Sequence, residues 1–187
     1  MYTFLGLEQT HWQFINTFAP WLSAVGTLAA VIVSLYLARK RDTPKARLLV
    51  YDIMVVTAGD TRPPPHYVQF RVVNEGDRRV RITQIGWRYG LFKKHHCVQL
   101  YEDSLSSKLP IELEHGQEAQ WLIPMKMPDR EWADYFANGF LSHAPWPVWH
   151  WTLRGRAFSS LGNVFETRPA TGLLATLRKA RRATTKT

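Results

Sequence analysis

The densest group of chemistry-bearing residues in the chain is His95-His96-Cys97. Imidazole and thiolate are zinc ligands, but consecutive residues on an extended chain point to opposite faces, so His95 and His96 do not converge on one ion. A zinc site needs further ligands at set spacing, and the sequence holds no C-x-x-C or H-x-x-x-H pair. The triplet therefore reads as a polar loop beside a buried Cys. His66, His115, His143 and His150 are dispersed, and His150, between Trp149 and Trp151, reads as a surface residue rather than a base. Ser104, Ser106 and Ser107 lack the G-x-S-x-G elbow that would present a nucleophile. There is no phosphate-cradling glycine loop and no dinucleotide fingerprint. Glu102, Asp103, Glu112 and Glu114 read as partners for the many arginines. No catalytic residue, cofactor or metal is assigned, and the chain is read as non-enzymatic.

Interaction chemistry is better represented. Three Trp fall between residues 146 and 151, with prolines at 145 and 147. Trp149 and Trp151 read as strand residues alternating into a core, and Trp146, held between the two prolines, is the candidate partner contact. Arg78, Arg79 and Arg81, with Arg88, Lys93 and Lys94, read as solvated strand faces. Residues 171–187 combine a narrow strip of Leu173, Leu174 and Leu177 with Arg178, Lys179, Arg181, Arg182 and Lys186 and no acid. That pattern predicts a basic amphipathic tail over 169–187, and Arg178, Lys179, Arg181 and Arg182 are candidate contacts to an anionic membrane surface. A solvated tail without a partner is an equal reading, and nucleic acid ranks behind both.

What positions these residues is set first by Phe18–Ala38, a run of 21 uncharged, mostly apolar residues followed at once by Arg39-Lys40-Arg41. As a helix it spans roughly 31 Å, close to the hydrocarbon thickness of about 30 Å. Pro20 is taken to lie near the helix start, where a missing N–H costs little. No Lys or Arg precedes the run, which argues against a cleaved signal peptide. The basic cluster after it predicts an N-terminus outside and the C-terminal part in the cytoplasm of a cell with an inner membrane. Arg39, Lys40 and Arg41 then meet lipid headgroups. Gly26, Ala30, Ser34 and Ala38 share one helix face, with Ala19, Ser23 and Thr27 beside it, a spacing that lets two helices approach closely.

All 24 Lys and Arg lie beyond residue 38, whereas only one of the 15 acids, Glu8, precedes it. The C-terminal part is thus strongly basic, and with a membrane helix attached, lipid is its nearest polyanion. A single Cys excludes an intrachain disulfide. Strands are predicted at Arg47–Thr57, Tyr67–Asn74 and Val80–Trp87, with a bulge near Gln84-Ile85, because Val80 and Ile82 are out of phase with Ile85 and Trp87. Further strands are predicted at 119–127, from Trp149 onward, and at Val164–Arg168, with a short amphipathic helix over Asp129–Leu141. The domain plan is a short extracytoplasmic N-terminus (1–17), a transmembrane helix (18–38), a basic linker (39–46), a β-sandwich (47–168) and the basic tail (169–187).

The run V-V-N-E-G-D-R-R-V-R-I at 72–82 resembles the strand-turn-strand of immunoglobulin-like domains. The whole layout is similar to that of small uncharacterised bacterial or phage single-pass membrane proteins carrying such a sandwich. The resemblance implies a mainly β, immunoglobulin-like sandwich behind the membrane helix. The leading expectation is a non-enzymatic interaction module held at the inner membrane surface by the bilayer and its anionic headgroups, binding a protein partner or further copies of itself. The alternative is a membrane-acting effector of a phage-exclusion or defence system that oligomerises through its helix.

Overall fold

The computed structural model describes residues 9–41, 43–56, 59 and 63–184, without the side chains of 9–16, 40, 41, 146 and 184. The chain divides into two units after Thr43. The first is one helix, α1 (Gln9–Arg41), of 33 residues. It extends past both ends of the predicted span, and its stretch Thr17–Arg39 is long and apolar enough to cross a membrane. Pro20 therefore lies inside the helix and not near its start. A proline there removes one backbone donor, which neighbouring hydroxyls and local readjustment tolerate in membrane helices. One hydroxyl is tied back locally, Thr27 donating to the Ser23 carbonyl at 2.8 Å.

The second unit is built on two antiparallel sheets. The first has the order β1 (Ala46–Met54), β2 (His66–Asn74), β6 (Glu118–Pro124). The second runs β4 (His95–Val98), β3 (Val80–Tyr89), β7 (Arg154–Ser159), β8 (Val164–Thr167), with β5 (Ile111–Leu113) beside the first residues of β3. The out-of-phase apolar residues of β3 all reach the core. Val80, Ile82, Ile85 and Trp87 are buried because the β3–β7 register shifts between Ile82 and Gln84, which returns Ile85 and Trp87 to the inner face.

Between the sheets, Phe70 meets Trp87 edge-on at 4.9 Å, and Trp132 and Phe136 close over the same ring. Gly155 sets how near the sheets come. A Cβ there would lie 2.6 Å from Val50 Cγ2, so only glycine lets β7 approach β1. Asn74 is fully buried at the β2–β3 turn. Its amide donates to the carbonyls of Arg78 and Leu113, and its carbonyl accepts from the Gly76 N–H. The turn thus satisfies its polar groups without water.

Helices complete the core. α2 (Trp132–Asn138) lies within the predicted amphipathic segment and buries Trp132, Ala133, Phe136 and Ala137. α3 (Trp146–Thr152) replaces the strand predicted from Trp149. Trp149 and Leu153 are buried and Trp151 is 66% exposed, which is a helical and not a strand period. α4 (Thr171–Thr184) packs against α2 and β1, burying Leu173, Leu174, Leu177 and Ala180.

Candidate functional site

On α1 every side chain from 17 to 39 is exposed, Gly26, Ala30, Ser34 and Arg39 included. A Cβ at Gly26 would meet nothing within 4 Å. A single helix that is apolar on all sides and carries no protein packing has its apolar surface satisfied only by lipid or by another such helix. Lys40 and Arg41 belong to α1, but their side chains fall outside the described residues, as does that of Trp146, whose backbone opens α3.

Within the predicted basic tail, Thr171–Thr184 form an integral helix of the β-rich unit, and Lys186 lies outside the described residues. The helix's leucine strip lies inside the domain, because α2 and β1 present an apolar surface that only α4 covers. The strip is therefore closed to a bilayer, contrary to the amphipathic-tail expectation. Arg181 is also committed elsewhere. Its guanidinium donates to the carbonyls of Leu141, Ala137 (3.4 Å) and Ser142 (3.1 Å), closing the turn that follows α2.

The remaining α4 cations are brought together with residues the sequence did not connect to them. Arg178, Lys179 and Arg182 line a cleft of about 270 Å³ with His150 of α3 and Thr171. Arg168 reaches His150 Nε2 at 3.3 Å and stacks its guanidinium over the Trp151 ring at 5.1 Å. Burial, and then the positive fields of Arg168 and Arg178, lower the His150 pKa below its ordinary value. An anionic group is the ligand such a cleft suits, and among the described residues no acidic side chain lines it.

α3 joins this cleft to a second exposed feature. The Thr152 hydroxyl accepts the Gly90 N–H at 2.9 Å, holding the β3–β4 hairpin against α3. Gly90 has φ of +106°, and a Cβ there would strike the Lys93 carbonyl oxygen at 2.1 Å. The tip beyond it, Leu91-Phe92-Lys93-Lys94, is exposed throughout, with Phe92 entirely in solvent. Sequence reasoning placed Lys93 and Lys94 on a solvated strand face and did not connect them with Leu91 and Phe92 as a hairpin tip. Its signal was two apolar residues beside two lysines after a glycine, a pattern too short to show a period.

The His95-His96-Cys97 triplet lies on β4 and not in a loop. His95 stacks on Tyr89 at 4.9 Å, while His96 faces outward and contacts Arg156 Nη1 at 2.7 Å. Burial raises the Cys97 thiol to about 12, leaving it protonated and a poor nucleophile. Among the described residues no three His, Cys, Asp or Glu side chains gather as a metal-binding group. Ser106 and Ser107 accept the Leu122 and Gln120 N–H groups, binding their loop along the β6 edge. Arg88 and Arg156 share Glu166, at 2.8 and 2.9 Å, as a structural ion cluster across β3, β7 and β8. Comparison with protein-family models and with curated proteins finds no match.

Proposed function

We propose that this protein is a non-enzymatic, membrane-anchored interaction module. α1 spans the bilayer once with the N-terminus outside, and the β-rich unit stands on the cytoplasmic side of an inner membrane. One observation carries the reading: Thr17–Arg39 forms an apolar helix that no part of the described chain covers. The absence of Lys and Arg before it and the cluster Arg39-Lys40-Arg41 after it support the orientation. The two antiparallel sheets over one core support an immunoglobulin-like reading of the domain, as a variant with helices built into the core. The domain presents its surfaces to anionic headgroups and to a protein partner or a second copy of the chain.

Two measurements on the full chain test this reading. After alkaline carbonate extraction the protein should stay with the membrane pellet. Protease added to right-side-out cells should leave the C-terminal unit intact, whereas inverted vesicles should expose it. Recovery in the carbonate supernatant would overturn the anchor, and cleavage of the domain from outside would overturn the orientation.

A further inference from the structure

We propose that the β-rich unit carries a second, peripheral membrane-binding face, in which Phe92 and Trp151 enter the headgroup layer while Arg178, Lys179 and Arg182 hold phospholipid phosphates. This rests on the reading of α1 as a bilayer anchor. It transfers the apolar part of the membrane contact from the leucines of α4, which the core consumes, to residues on the hairpin tip and α3.

The face is continuous through contacts already described. Gly90 is bonded to Thr152, Trp151 carries the Arg168 guanidinium, Arg168 touches His150, and His150 lines one cleft with the α4 cations. These contacts link two exposed aromatic residues to a cluster of cations, a combination that suits a headgroup layer. Amphipathic rings settle at the interface, and cations pair with phosphate beneath them. The base of the Phe92 tip is tied to α3 by the bond from Gly90 to Thr152.

Charge selects the occupant. Lys93 and Lys94 are exposed on the hairpin tip, Arg168 lies against His150 and Trp151, and Arg178, Lys179 and Arg182 line the cleft. An anionic bilayer fits that charge and also offers an apolar layer for Phe92. A soluble phosphate ligand would fill the cleft and leave the tip unexplained. The chain itself supplies the bilayer, since residues 42–45 alone join α1 to β1. Tethering then raises the local lipid concentration that the face meets.

The test uses the full chain reconstituted in nanodiscs of phosphatidylcholine alone or rich in phosphatidylglycerol. Amine labelling read by mass spectrometry follows Lys93, Lys94 and Lys179, with the exposed Lys108 and Lys126 as internal references. Phosphatidylglycerol should protect the first three about fivefold relative to the references, the change expected for roughly one cation's worth of headgroup binding. High salt should remove that protection. Phe92→Ser, at a fully exposed position, and the double variant Arg178→Gln with Arg182→Gln should each weaken protection at Lys179 while melting like the parent. Equal labelling in both lipids would overturn the proposal. So would protection by inorganic phosphate in phosphatidylcholine discs that matched the effect of phosphatidylglycerol, since the cleft would then be a free-anion site. Carbonate extraction of the source membranes, before reconstitution, separates the two readings. A chain that pellets with its lysines open retains the anchor and loses only this face, whereas a chain released into the supernatant loses the anchor.

Discussion

α1 and α4 are composed alike and end in opposite environments. Both combine small and apolar residues with Arg and Lys toward the C-terminal end. In α4 the apolar residues occupy one side, Leu173, Leu174, Leu177 and Ala180, and the domain covers all four. Between residues 17 and 39 of α1 they go all round, and nothing in the described chain covers any of those. The width of the apolar surface decides the difference. A stripe can be matched by one neighbouring face of protein, whereas a fully apolar cylinder needs a surrounding solvent of its own kind.

The largest effect that breaks this comparison is removal of α1. A chain lacking residues 1–41 should leave the high-salt-washed membrane fraction while its β-rich unit keeps its cooperative melting transition, because the two are separate units. Loss of that transition would show that the domain depends on α1. Next is leucine truncation in the two helices. Leu177→Ala should lower domain stability by about 2–5 kcal/mol, the usual range for a fully buried leucine, measured by denaturant unfolding. Leu28→Ala should leave that transition unchanged, since Leu28 is exposed. Equal effects would mean that both helices are packed on protein.

A smaller contrast sits within α4. Arg181→Gln should cost about 1 kcal/mol, because the part-buried Ala137 and Leu141 carbonyls lose their donor. Lys179→Gln, at an exposed position, should cost nothing measurable in the same unfolding experiment. The smallest effect is the response to pH. His96 and His150 both have depressed pKa values, in each case through burial first and then nearby arginines. The unfolded chain therefore takes up protons first. The stability that comes from keeping the two rings neutral is present above the ordinary histidine value of 6.5 and is lost as pH falls through the lower folded values. The melting temperature should decline modestly on acidification, and the decline should flatten in the variant His96→Gln with His150→Gln.

Long elements with a clear period were legible in the sequence. β2 reads from the alternation of Val68, Phe70 and Val72, and the irregularity in β3 reads from the phase change between Ile82 and Ile85. β4 and β5 have four and three residues, too few to display a period. α3 was misread because Trp149, Trp151 and Leu153 fit alternation as spaced. The buried pair Trp149 and Leu153, four residues apart, marks the helix only once Trp151 is known to face solvent. The cations of α4 were visible in the sequence as candidate membrane contacts. Their assembly with His150 and Arg168 was not, because it depends on α3 and α4 meeting across a long stretch of chain. The loss of Arg181 to the α2 turn depends on tertiary packing in the same way.

The place of α4 in the chain has a consequence for biogenesis. It follows every strand in sequence, yet three of its leucines lie in the core. On the proposed reading of α1 as a bilayer anchor, a chain made from the N-terminus offers α1 to the insertion machinery long before those leucines exist. Commitment to the membrane thus precedes closure of the domain, and the growing chain stays unlocked, with its Trp-rich interior open to chaperones, until α4 is complete.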